Sequence, residues 1–238
     1  MIETTKAIVL KTIKYGDTSL ITTCYTQKRG VKTYMLRGIL KAKKAKIRPA
    51  YFQPLMLLNL TANHNNKGNL NFIKDIEVSN FYNAIYTDIK KQTIGLFLAE
   101  ILYYVIREEE QNSTLFQYLE TSFLWLDTHD NISNFHLLFL LNLTKYLGFY
   151  PKIQNLENSY FDLLEGSFIK QPNYNTVTGE NLIQFKKLLG INFDVIHQVN
   201  FNAENRQIVL SILVQYFELH LDGFKKPKSL AILKSVFS

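Results

Sequence analysis

The stretch RGILKAKKAKIRPAYFQP, residues 37–54, sets six cations, Arg37, Lys41, Lys43, Lys44, Lys46 and Arg48, in a short span without a carboxylate among them. A solvated helix face interleaves both signs, because opposite charges one turn apart attract and like charges repel. Nothing inside this run offsets its repulsion. The chemistry such residues offer is neutralisation of an external anion: a polyphosphate, an anionic membrane or an acidic protein. Aromatic residues, Tyr15, Tyr25, Tyr34, Tyr51 and Phe52, lie among these and neighbouring cations. Cations that follow a phosphate backbone, beside aromatic faces on which unpaired bases stack, constitute a single-strand nucleic-acid groove. Alternation along the chain places Phe52 in the core.

Other residue types offer less. The five histidines, His64, His129, His136, His197 and His220, are scattered and form no ligand spacing. The carboxylates Glu108, Glu109 and Glu110 read as the solvated acidic end of a helix. No phosphate-binding glycine loop, G-x-S-x-G elbow or H-E-x-x-H occurs, so no enzyme, cofactor or metal is expected. The single cysteine, Cys24, excludes an internal disulfide and fits a reducing compartment. The opening MIETTKAIVLKTIKYGD lacks an apolar signal core, and the most apolar runs, 94–106 and 135–150, are too short or too interrupted to cross a membrane. No membrane association and no export are expected.

The 238 residues carry a net charge of +7, unevenly placed. Residues 1–78 hold 14 Lys and Arg against 4 Asp and Glu, and residues 79–238 hold 13 against 16. Between Asp17 and Asp75 eleven basic residues meet no acid. This asymmetry speaks to partners and association rates, not to fold.

The elements that must position these cations follow from periodicity. Residues 6–13, 19–26, 31–39, 54–63 and 70–78 are rich in Ile, Val, Thr, Tyr and Leu, several of them alternating, and turn residues separate them. Five short strands in so few residues predict a closed sheet, which hides the strand edges, and an OB-type barrel is the expected form. From residue 79 the apolar period becomes helical. Helices are expected near 94–105, 115–126, 132–147, 179–189, 202–221 and 229–237, with an irregular region at 152–176 holding one hairpin that turns at Glu165–Gly166. The fold class is therefore α+β in two domains: 1–78 an OB-type nucleic-acid-binding barrel, and 79–238 helical with a short hairpin insertion.

Several stretches carry a resemblance to a known family. Tyr15-Gly16-Asp17-Thr18-Ser19-Leu20-Ile21 followed by Tyr25-Thr26 and Gly30, GILKAKK at 38–44 followed by Arg48, Gln53-Pro54-Leu55, LGFYP at 147–151 and GFKKPKSLAIL at 223–233 occur in the order found in RecO proteins. The chain thus resembles the bacterial RecO recombination mediators over nearly its whole length. The resemblance implies DNA repair and recombination: binding of single- and double-stranded DNA, annealing of complementary strands, and work with RecR to load RecA on DNA coated by single-strand-binding protein. It also implies a cytoplasmic, nucleoid-associated bacterial protein.

By motif position the DNA contacts it implies are Arg37, Lys41, Lys43, Lys44, Lys46 and Arg48, with Lys28, Arg29, Lys32 and Tyr51 beside them. It further implies a C-terminal surface for the acidic, Phe-ending tail of single-strand-binding protein, for which Phe217, Phe224, Lys225, Lys226 and Lys228 have the ingredients. Many members of the family bind zinc through cysteines after the LGFYP-like segment. Residues 155–169 contain no cysteine, so packing of Tyr160, Phe161, Leu163 and Phe168 is expected to replace a metal. Composition alone also admits an RNA-binding or ribosome-associated OB protein, or a helical scaffold whose basic loop meets an acidic protein.

Overall fold

The computed structural model describes residues 2–41, 47–64 and 70–237. Lys43, Lys44 and Lys46 lie outside the described residues. The chain divides into two compact units, Met1–Thr128 and His129–Ser238.

Five strands build the first unit: β1 (Ile2–Tyr15), β2 (Ser19–Thr26), β3 (Gly30–Leu36), β4 (Leu57–Asn63) and β5 (Leu70–Asn80). They close into a barrel of order β1-β2-β3-β5-β4, in which β3 and β5 run parallel and the other neighbours antiparallel. This is the OB arrangement expected from the sequence. Inward residues fill the interior, among them Ala7, Val9, Cys24, Tyr34, Leu58, Leu60 and Ile76. A 3-10 turn, Pro49–Phe52, puts the Phe52 ring into that core.

Strand gives way to helix after Asn80, near the expected change at 78, yet the first two helices pack with the barrel. The α1 helix (Ile89–Val105) starts at Asp88, whose side chain accepts from the Lys90 and Lys91 amides. The α2 helix (Ser113–Thr128) ends beside Asp127, whose carboxylate accepts from the amides of Asn83, Ala84 and Ile85 at 2.8–2.9 Å. The phenols of Tyr82 and Tyr86 donate to the carbonyls of Leu55 and Pro54, and Lys6 pairs with Glu120 at 2.8 Å. These ties explain why the first compact unit extends past the barrel to Thr128.

The second unit is built on α3 (Phe135–Leu147), whose residues Phe135–Thr144 are all buried. A helix apolar on every side can only be an interior one. It stops at Gly148, which takes the left-handed conformation. The hairpin expected at 152–176 forms as β6 (Tyr160–Asp162) and β7 (Ser167–Ile169), with Gly166 in its turn. Here the expectation of a single hairpin is corrected: β8 (Thr176–Thr178) pairs antiparallel with β6 and makes a three-stranded sheet. The Phe161 ring lies 4.9 Å from Phe168 and 5.1 Å from Phe185. Asp162 organises the turn by accepting from the Leu164 and Glu165 amides. After α4 (Gly179–Lys186) comes a 3-10 turn that periodicity missed, Phe193–Gln198, then α5 (Ala203–His220) and α6 (Leu230–Val236).

Candidate nucleic-acid interface

The expected contact residues fall into two electrostatic groups. Lys28, Arg29 and Lys32 sit on the β2–β3 hairpin, and the protein itself engages all three. The Lys28 ammonium donates to the Thr4 carbonyl at 2.8 Å, and Arg29 Nε donates to Glu3 Oε2 at 2.9 Å. The Arg29 hydrogen bond holds the Glu3 carboxyl below the usual carboxylate range, so Glu3 is charged at neutral pH and cancels Arg29. Lys32, whose side chain is 17% exposed, pairs with Glu109, 74% exposed.

Glu109 reaches Lys32 because residues 107–112 lie against the hairpin as a strap. The Val31 amide donates to the Glu108 carbonyl at 2.9 Å, and the Tyr25 hydroxyl donates to the Asn112 carbonyl at 3.2 Å. At Gly30, φ is +58°, and a Cβ there would stand 2.2 Å from the Glu108 carbonyl oxygen. Only glycine allows this approach. Burial, with the Glu108 charge adding, pushes the Tyr25 phenol up to about 12, which keeps it a neutral donor. The α1 helix ends at Val105 and Glu108–Glu110 beyond it are exposed, as the sequence suggested; what the sequence did not show is that Glu109 pairs with Lys32 of the hairpin.

Arg37, Lys41 and Arg48 form the second group. All three are exposed, and among the described residues no carboxylate pairs with them. Arg37 follows the end of β3, Lys41 donates its amide to the Gly38 carbonyl, and the Arg48 carbonyl receives the Tyr51 amide. The Leu40 amide donates to the Thr18 carbonyl, which places Leu40, between Arg37 and Lys41, beside the β1–β2 turn. In OB barrels, the loops β1–β2 and β4–β5 with the face of β2 and β3 form the oligonucleotide side.

The aromatics divide by burial, Phe52 in the core as alternation placed it. Tyr25, Tyr34 and Phe52 are buried, and Tyr51 packs on the barrel core. Tyr25, Tyr34 and Phe52 thus offer no ring face to a ligand, while Tyr51 is only partly buried. Tyr15, at the end of β1, is 56% exposed. Phe72, which sequence reasoning passed over, is 43% exposed, with the Arg37 guanidinium 5.0 Å from its ring centroid.

Cys24 is fully buried and its thiol is pushed up to about 12 by desolvation, so it keeps its proton. Burial depresses the His64 pKa despite Glu3, leaving a neutral ring that meets the Tyr34 hydroxyl at 3.0 Å. Among the described residues no three His, Cys, Asp or Glu side chains cluster as metal ligands do, and no helix is long and apolar enough to cross a membrane.

In the second unit the expected peptide contacts separate. Phe217 is core, fully buried with its ring 5.4 Å from Phe149. Phe224 is partly buried against Phe217, and Lys225 and Lys228 are exposed. Lys226 pairs with Glu218 at 3.2 Å and lines a cavity of about 500 Å3 between α5 and α6. Leu210, Val214 and Leu230 form the apolar part of that cavity, and Lys234 adds a second cation.

Comparison with known proteins agrees with this architecture. The family model described as recombination protein O N terminal matches residues 1–82, and that described as recombination protein O C terminal matches residues 86–231. The chain is 46% identical over 234 residues to the DNA repair protein RecO of Flavobacterium psychrophilum, covering 98% of each. It is 47% identical to that of Flavobacterium johnsoniae over 98% of each chain, and 36% identical to that of Bacteroides fragilis over the full length of both.

Proposed function

Because the chain belongs to the RecO family of DNA repair proteins, we propose that it is a non-enzymatic mediator that anneals complementary DNA strands and helps load a recombinase on DNA coated by single-strand-binding protein. Annealing requires no covalent step. Two polyanions approach once their phosphates are neutralised, and base pairing supplies the free energy. The observation that carries this reading is the exposed set Arg37, Lys41 and Arg48 on an OB barrel, without carboxylate partners among the described residues. Lys43, Lys44 and Lys46 belong to the same run of the sequence and are proposed as DNA contacts with them.

The partners proposed are single- and double-stranded DNA, RecR and the acidic tail of single-strand-binding protein, in a cytoplasmic, nucleoid-associated setting. For the tail, the α5–α6 cavity offers apolar side chains, Leu210, Val214 and Leu230, for a terminal Phe and Lys234 for an acidic residue, beside the Lys226–Glu218 pair.

Strand annealing by the purified protein across a salt series, beside RNA of matched sequence, tests the reading. Accelerated DNA annealing that fades as salt rises is expected. Tight RNA binding with no DNA annealing would favour the RNA-binding alternative, and saturable binding only to an acidic protein would favour the scaffold. Titration with an acidic, Phe-terminated peptide tests the second surface; absence of binding at tens of micromolar, about −6 kcal/mol, counts against it.

A further inference from the structure

From the register of β5 we infer that Phe72, with the Arg37 guanidinium 5.0 Å from its ring centroid, is the platform on which an unpaired base of single-stranded DNA stacks. This rests on the nucleic-acid reading above and adds the residue that holds the base.

The first observation is a β-bulge. Along β5, Ile76 and Val78 point inward, and strict alternation would send Phe72 and Leu70 inward too. The pairing of β4 with β5 instead steps from Thr61 opposite Asp75 to Ala62 opposite Ile73, leaving Lys74 as an extra residue. One extra residue reverses every side chain beyond it. Asn71 and Ile73 therefore turn inward, the Asn71 amide donating to the Thr33 carbonyl at 3.1 Å. Phe72 and Leu70 are turned out, 43% and 39% exposed. Exposing two large apolar side chains on a barrel strand is unfavourable for folding alone, and bulges recur where a side chain must be re-aimed for use.

The second observation is placement. Phe72 lies near the start of β5, just after the β4–β5 loop, and Tyr15 ends β1 just before the β1–β2 turn. Tyr15 pairs with Ser19, and the Ser19 hydroxyl accepts from the Gly38 amide next to Arg37. These are the two loops flanking the oligonucleotide side of OB barrels.

The third observation is chemistry. The guanidinium over Phe72 is planar and cationic, so it stacks on a ring and meets a phosphate with the same group. The hairpin cations Arg29 and Lys32 are already paired with Glu3 and Glu109, which leaves the Arg37 side of the barrel the more positive. A duplex keeps its bases stacked on one another and has none to offer Phe72, so the platform selects single strands.

Binding of the full chain to oligo-dT and to a duplex of equal length, measured by fluorescence anisotropy over a salt series, tests the inference. Phe72→Leu keeps apolar bulk and removes the ring face, Phe72→Trp restores a face and reports stacking by fluorescence quenching, and circular dichroism checks that each variant is folded. The expected result is that Phe72→Leu weakens single-strand binding by about 5- to 100-fold, leaves duplex binding and the salt slope unchanged, and that Phe72→Trp regains affinity with a quenched signal. The inference is overturned if Phe72→Leu binds single strands as tightly as the parent, or if single-strand and duplex binding fall together; the mediator reading survives either result. Should the parent chain show no salt-dependent single-strand binding, both fall.

Discussion

Gly30 and His136 illustrate how single residues set limits in the two units. Gly30 has φ of +58° and faces the Glu108 carbonyl, whereas Gly16, also at +58°, has nothing within 4 Å of the position a Cβ would take. Gly16→Ala carries conformational strain alone, about 1 kcal/mol. Gly30→Ala adds a backbone clash and is expected to destabilise by at least about 3 kcal/mol in urea unfolding, with loss of the strap contact. Equal costs at the two sites would show that the strap yields freely. His136, buried in α3 beside Phe237, has its pKa depressed to about 3, by burial first and the Arg206 charge second. Above its ordinary value near 6.5 both folded and unfolded forms are neutral and nothing is gained or lost. Below that pH the unfolded chain takes up a proton that the folded chain refuses, so stability falls by about 1.4 kcal/mol per pH unit. Unfolding measured from pH 7 to pH 5 should show this decline, and His136→Leu should flatten it by about one proton's worth.

Among the elements, the strap at residues 107–112 and the bulge in β5 were the least legible in the sequence, for one shared reason. Strand positions followed from alternation and turn residues, and helix positions from the apolar period, because both are local. The strap depends on a glycine conformation some eighty residues away from its acids, and the bulge is set by which β4 residue each β5 residue meets. The strand β8, three residues long after an irregular stretch, was hidden for the same reason: its partner β6 lies across the loop. The composition of the basic run displayed its charge, while alternation alone would have put Phe72 inside. The strap has a testable consequence. It carries three exposed carboxylates, of which Glu109 pairs with Lys32 of the hairpin, and their negative charge opposes phosphates on that side. Replacing Glu108, Glu109 and Glu110 together by Gln should tighten single-strand binding several-fold at low salt and steepen the salt slope by up to about one as Lys32 becomes available. Unchanged binding would show that nucleic acid never approaches the hairpin.

For the molecule as a whole, charge division outweighs net charge. On the function proposed above, the excess of cations over the first 78 residues and its absence beyond them direct a polyanion to the barrel. Internal pairing then narrows that proposal: Arg29 and Lys32 are held by Glu3 and Glu109, whereas Arg37, Lys41 and Arg48 meet no carboxylate among the described residues. The most direct test is the dependence of single-stranded DNA affinity on salt for the parent chain and for a variant with Lys41, Lys43, Lys44 and Lys46 all changed to Glu. The expected parent slope is steep, and the variant should lose about 0.7 in slope for each phosphate contact removed, with affinity down at least about 100-fold at low salt. A variant that retains both the parent's affinity and its slope would contradict the claim that this barrel is built to neutralise a nucleic-acid backbone.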